Sequence, residues 1–463
     1  MKKLFAILMA AMLTAVIFAG CGGSAPEAPA PAPAAPAESA PEAPAAPAEA
    51  ETQELNLAIF EGGFGPAFWN EVVNTFGAEH PEITVNLQIS PNIGDVIRPN
   101  IVAGNPPDFW NGTDNDQTGI LEALIRDRGL LDLTDVFNGP QYDSDAPLRD
   151  KIIDGALESL KCSPYGDGRV YIAPGGVYPM ALVYNTALFA EQGWDLPVTW
   201  DDFFALGDKA KELDIALFTY QGQYPGYWDG VLPSALASAL GSDYAKIENL
   251  EPGIWMDPRT VAVMEQFEKI YTGGYLMPGT VGLNHTDSQA AQMMNRALFI
   301  PNGPWMEDEM KDAERAPGYR FGLAPSPAMS QGAPRYVNTG LGQFSIPAAA
   351  ANPEAAKLFL RYLYTDEMIA KYAELNSEVA ATKNAGELAR PFLTEDIYGF
   401  FNVFSLPGAA NINIGFASVP EGSRIVLSDE LWNPLSDLFS GRMTAIQYCE
   451  HMDGIYQAIA DGQ

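Results

Sequence analysis

Basic side chains are scarce in this sequence: 26 Lys and Arg stand against 59 Asp and Glu, a formal net charge of −33. No basic patch interleaved with aromatics occurs, which excludes a nucleic-acid partner. The same balance weighs against strongly anionic ligands, although the charge of a cleft can differ from the total. The three histidines, His80, His285 and His451, stand far apart and lack the paired spacing of a helical zinc site. The three cysteines are as thinly spread. Apart from Cys21 there are only Cys162 and Cys449, readable equally as one disulfide of an oxidising compartment or as two separate buried thiols. Nucleophile elbow, phosphate loop and dinucleotide fingerprint are all missing. Asp114 to Gly119 begins like a calcium loop, but the twelfth position is Ile125, where a bidentate glutamate is needed. Nothing in the sequence asks for a metal or a cofactor. So many carboxylates keep a glycosidase-type pair open in principle, yet no pair is singled out.

What is present begins with an export signal. Lys2 and Lys3 precede an apolar run from Leu4 to Gly20, closed by small residues before Cys21. Residues 1–20 are therefore expected to direct export. Ala19-Gly20-Cys21 resembles a bacterial lipobox, in which the Cys21 thiol is lipidated and becomes the first mature residue. A plain signal peptide and a retained membrane anchor are the alternatives. Residues 21–51 are then a tether: from 24 to 50 they are almost only Ala, Pro and Glu, and cannot bury a core. Such proline spacing favours extended backbone at roughly 3 Å per residue, enough to hold a folded domain off a bilayer.

The rest of the chain exceeds one ordinary domain, and apolar content of 47% supports a sizeable core. Its pattern is α/β. Leu55 to Phe60 reads as a buried strand, leading through Glu61-Gly62-Gly63-Phe64-Gly65-Pro66 into a helix near Phe68 to Glu79. Thr84 to Ile89 alternates as a second strand, a helix follows over Val96 to Ala103, and Pro107 to Asn111 is a short strand before a polar loop. Strand, helix, strand at this pitch implies parallel pairing. Thr199-Trp200-Asp201-Asp202 opens a further helix with a capping box. Asn352-Pro353-Glu354 opens another, which places Ala355, Leu358, Phe359, Tyr362 and Leu363 on one face.

Tryptophan and tyrosine recur in loops beside Gly, Asn, Gln and Asp. Sugars present apolar C–H faces and a rim of hydroxyls, so a site for them needs flat aromatic surfaces and fixed amide or carboxylate partners in a cleft. Three stretches carry both ingredients: Phe218 to Trp228, Phe299 to Trp305, and Leu427 to Trp432. Tyr227, Trp228 and Trp432 read first as packing. Trp305, led in by Asn302-Gly303-Pro304, reads first as a ligand platform at a helix start.

The order and spacing of several short pieces resemble family 1 extracellular solute-binding proteins, the receptors of bacterial ABC sugar importers, which include maltodextrin-binding proteins. The pieces are Trp69 to Phe76 with His80-Pro81-Glu82-Ile83, Gly104 to Asp108, Gly129 to Thr134, Tyr171 to Pro174, Val183 to Phe189, Leu196 to Phe203, Asn302 to Trp305, and Asn352 to Ala356. Phe218 to Gly222, Asn249 to Gly253, Met277 to Thr280 and Leu283 to Thr286 resemble the branch assigned to N-acetylglucosamine and diacetylchitobiose.

This resemblance implies a periplasmic-binding-protein-like fold: two α/β lobes joined by a hinge, with the ligand between them. The first lobe is expected over 52–172 plus 327–372 and the second over 173–326 plus 373–463. By position, Glu61, Gly62, Gly63, Phe64, Asn111 and Asp114 line the first lobe, and Tyr220, Gln223 and Tyr224 face them. Trp305 is the main stacking platform and Trp432 a second. The implied protein is a monomer that is not an enzyme. It captures a carbohydrate by closing and hands it to ABC permease subunits. A receptor for another small solute or a peptide, and an extracellular glycosidase, are the competing readings.

Overall fold

The computed structural model describes residues 53–112 and 118–463; the export signal, the tether, Cys21 and Asp114 lie outside them. Ten strands are present among the described residues: β1 (Gln53–Phe60), β2 (Ile83–Ser90), β3 (Phe109–Gly112), β4 (Ala173–Asn185), β5 (Ala216–Phe218), β6 (Ala297–Asn302), β7 (Phe321–Ala324), β8 (Arg335–Ser345), β9 (Val379–Ala380) and β10 (Ala409–Ile412). They run in the order β2-β1-β3-β8-β4-β6-β5, with β7 and β9 pairing β4 and β10 pairing β8.

The first half follows the strand–helix–strand pattern. β1 pairs in parallel with β2, Gln53 opposite Ile83, and with β3, Leu57 opposite Phe109. Between them the helix Ala67–Glu79 buries Phe68, Trp69, Val72 and Phe76, one apolar stripe at helical spacing. Its first turn is held from far along the chain, where the Asn376 carboxamide oxygen accepts the Phe68 N–H at 3.2 Å. The helix Pro353–Leu363 buries Ala355, Phe359, Tyr362 and Leu363 as its spacing predicts, while Leu358 is only partly buried. Asn352 precedes it without capping through its side chain; its own N–H donates instead to Asp108 at 2.7 Å. Asp108 also accepts from Asn56 N–H at 2.9 Å, so one buried carboxylate ties β1 to that helix start.

β4 and β8 link the two halves. The amino-terminal end of β4 pairs with the end of β8 that also pairs β3, whereas Ala181 to Asn185 pair with β6 and β7. The register between β4 and β8 shifts between Pro174 and Val177. Gly175 and Gly176 sit at this bulge, where a Cβ would approach the Phe344 ring to 2.8 Å and the Glu378 carboxylate to 3.1 Å.

Each half has its own core. Leu55, Val72, Phe109, Leu341, Phe359 and Ile369 belong to the first, together with Ala381, Leu393 and Ile397. Trp200, Phe218, Trp228, Trp255, Phe267 and Tyr448 belong to the second. The helix Trp200–Lys211 is opened by the expected capping box from Thr199 and Asp202. Cys162 is buried in the first core and Cys449 in the second, and they form no disulfide with each other. No helix among the described residues is long and apolar enough to cross a membrane.

Candidate functional site

The two cores leave a gap, and its wall can be built residue by residue. From the first half, the helix Ile120–Arg126 brings Glu122 and Ile125, the loop before β4 brings Lys161, and β8 brings Gln343. From the second half, the turn Pro225–Gly230 brings Asp229, the segment after β10 brings Phe416, and the helix Leu427–Trp432 brings Ser428 and Trp432. The cavity they line holds about 160 Å³, roughly ten times the ~15 Å³ that one water requires.

Several polar wall positions are held by their neighbours. Asp229 is 9% exposed, and its Oδ2 accepts from Asn338 Nδ2 at 2.9 Å. Asn338 Nδ2 also donates to the Asp229 carbonyl at 3.0 Å. Asn111 Nδ2 donates to the Gln343 carbonyl at 3.2 Å, tying β3 to the cavity floor. Leu427 and Leu431 are buried in the second core, whereas the Trp432 indole at the end of their helix is only partly covered. Burial is the largest influence on the Glu122 carboxyl and raises its pKa, against hydrogen bonds from Ser428. The wall thus offers an aromatic face, carboxylates, an amide and an ammonium among aliphatic groups, the mixture a neutral polyhydroxylated ligand needs. No group of His, Cys, Asp and Glu able to hold a metal occurs among the described residues.

A second meeting of the halves lies around Trp305. This residue starts the helix Trp305–Glu309, as its Asn-Gly-Pro lead-in predicts. Its indole folds back over Gly303, where a Cβ would come within 2.1 Å of the ring. Tyr178 meets it edge-on at 5.5 Å between ring centroids, and Tyr227 lies at 6.3 Å. The loop after β1 crosses the gap here: a Cβ on Gly63 would stand 3.1 Å from Glu309 Cβ and 3.3 Å from Trp305 Cβ. Glu309 pairs with His285 at 3.0 Å, and Tyr224 meets the His285 ring edge-on at 5.3 Å. Hydrogen bonding to Glu309 raises the His285 pKa.

The expected residues therefore separate. Gly63 and Trp305 touch across the gap, with Glu61, Gly62 and Phe64 partly covered in the same loop. Tyr224 reaches this cluster through His285. Trp432 stands at the cavity, and Asn111 supports its floor. Trp305 is not among the residues that line it. Tyr220 is fully buried in the second core, between Trp228 and Phe439. Gln223 is exposed, and its Nε2 donates to the Gly282 carbonyl at 2.7 Å. Glu122, Lys161, Asp229 and Gln343 were not singled out from the sequence. No local pattern marks them, because segments far apart in the chain assemble this wall.

Known proteins share this architecture. A diacetylchitobiose binding protein of Streptomyces coelicolor is 27% identical over 356 residues, 76% of this chain and 72% of its own. A multiple sugar-binding protein of Streptococcus mutans is 22% identical over 329 residues, 68% and 72% of the two chains. Among solved structures, a chitin oligosaccharide binding protein superposes with a TM-score of 0.68 at 19% identity, over 89% of this chain and 100% of the other. The apo form of RafE from Streptococcus pneumoniae gives 0.63 at 18% identity, over 88% and 98%. These neighbours have the two-lobe fold, and they are solute-binding proteins rather than enzymes. Because the model of the bacterial extracellular solute-binding protein family matches residues 64–370, well over half of the sequence, the chain belongs to that family.

Proposed function

We propose that this protein is the carbohydrate receptor of an ABC importer, held at the outer face of the cell membrane through a lipid on Cys21. The observation that carries the reading is the cavity between the two cores, where one indole, two carboxylates and an amide converge. Trp432 would stack on a sugar ring, while Asp229 and Gln343 accept or donate to its hydroxyls. Trp305 and the Gly62-Gly63-Phe64 loop would form the rim that meets on closure. The names of the relatives favour N-acetylglucosamine or diacetylchitobiose as the sugar.

Hinge closure explains capture. A ligand touching both halves binds the shut form better than the open one and so shifts the population toward it. The shut halves then present one composite surface to the permease. Core packing supports lobe boundaries at about 53–172 with 341–397, and about 180–337 with 400–463, β4 and β8 forming the hinge between them.

Calorimetry with diacetylchitobiose, N-acetylglucosamine, maltose and simple hexoses is the test. Heat of binding from at least one is expected; no heat and no thermal shift from any would refute the carbohydrate reading. For the anchor, Cys21→Ser should release the protein from the membrane fraction, and unchanged association would refute lipidation.

A further inference from the structure

Hydrogen bonds join the two halves at the cavity wall itself: Ser418 N–H donates to the Pro164 carbonyl at 3.3 Å, and Glu122 accepts from the helix that carries Trp432. Glu122 stands on the helix Ile120–Arg126, whose Ile120 and Leu124 pack with Ala58, Trp110 and Ile172 of the first half. Ser428 stands on the helix Leu427–Trp432, rooted through Leu427 and Leu431 in the second core. The Glu122 carboxylate accepts the Ser428 backbone N–H at 3.1 Å, over a separation of 306 residues, and both residues line the cavity. Beside them Gly119 and Val426 also meet across the gap. A Cβ on Gly119 would lie 3.0 Å from Val426 Cγ1, so a larger residue at 119 would press on the Val426 side chain. The helix that Glu122 grips ends one turn later in Trp432.

We infer that Glu122 is a positioning residue for ligand capture: its carboxyl group latches the Leu427–Trp432 helix to the first half, so that the Trp432 indole is set over the cavity only when the gap is shut. The inference rests on the reading of this cavity as the carbohydrate site, and it adds a residue that works through another.

A latch of this kind carries a pH signature. With the gap open Glu122 stands in water; with it shut, the carboxyl is largely desolvated and its pKa rises above the ordinary carboxylate value. Closing therefore takes up protons between the ordinary value and the raised one. The contribution of Glu122 to the shut form is fully present below the ordinary value and is lost as pH rises through the raised one. The charges around it do not reverse this sign. Asp429, on the same helix as Ser428, raises the pKa further. Asp229 and Lys161 line the same cavity with opposite charges, and Arg126 on its own helix is paired with Asp127 at 2.9 Å. Glu122→Gln keeps an oxygen to accept the Ser428 N–H but removes the titration, whereas Glu122→Ala removes the acceptor.

The test combines X-ray scattering of the ligand-free chain with calorimetry using diacetylchitobiose, each at about pH 4 and about pH 8, below and well above the ordinary glutamate value of about 4.3. Wild type should be more compact and bind several-fold tighter at the lower pH. Glu122→Gln should show the same compactness and affinity at both. Glu122→Ala should bind roughly tenfold more weakly at both, because the Ser428 N–H loses its partner. A wild-type protein without a pH response, or a response that survives in Glu122→Gln, overturns the latch. If no sugar gives heat, the carbohydrate reading fails separately, and scattering of wild type against Glu122→Gln decides the latch alone. If Glu122→Ala does not fold, the Gln variant carries the test.

Discussion

Trp432 and Trp305 both stand where the two halves meet, yet their surroundings differ. Trp432 ends a short helix rooted in the second core and stands, partly covered, at a cavity whose aliphatic wall carries a few polar groups. Trp305 begins a short helix, lies folded over Gly303, and is flanked by Tyr178 and Tyr227. Both indoles are partly covered; the first lines a cavity built from both halves, whereas the second stands among protein aromatics and the Gly63 loop. The motif that makes Trp305 conspicuous in the sequence, Asn302-Gly303-Pro304, is what folds the indole back on the chain. An aromatic residue at a helix start is thus no guide to whether its face is available.

The largest effect that would sharpen this contrast is expected from Gly303→Ala. A methyl 2.1 Å from the Trp305 ring must displace the indole, costing about 3 kcal/mol of stability. Thermal denaturation checks it, and an unchanged Tm would mean that Trp305 is free to move. Next comes Trp432→Ala, which should lose about 2 kcal/mol of sugar affinity with little change in Tm. Lost folding instead would make Trp432 a core residue and break the contrast.

A smaller, pH-dependent effect is expected at the hinge. Glu378 lies against Gly176 of β4 and accepts from Asn376 Nδ2 at 3.3 Å. Burial pushes its carboxyl up to about 7, from an ordinary 4.5. The folded form then binds more protons than the unfolded chain across that interval, so the Glu378 contribution to stability is present below about 4.5 and lost as pH rises through about 7. Denaturant titrations at several pH values should show this decline, and Glu378→Gln should flatten it. An equal slope in the variant would assign it elsewhere. The smallest effect is none: with Cys162 and Cys449 unbridged in separate cores, a reductant should leave Tm unchanged, and a fall would reveal a bridge.

Much of the architecture was legible in the sequence because it depends on local periodicity. β1, β2 and the helices after them follow from alternation and apolar stripes, and the Thr199 capping box from four consecutive residues. Tyr220 lies deeper than its neighbours in the sequence suggest, for the opposite reason. Its polar, glycine-rich neighbours suggest a surface loop, but Gln221 is itself buried and donates to the Pro301 carbonyl at 2.9 Å, which lets the segment continue through the core. Asp229, Gln343 and Glu122 carry no local signal at all. Gln343 meets Asn111 across 232 residues and Glu122 meets Ser428 across 306, and only the finished fold makes those pairings.

The central claim is that ligand lies against Trp432 rather than Trp305, and tryptophan fluorescence during a titration with diacetylchitobiose tests it most directly. Trp432→Phe should abolish the ligand-induced change in emission, while Trp305→Phe should leave most of it. A change that persists in Trp432→Phe and vanishes in Trp305→Phe would contradict the account.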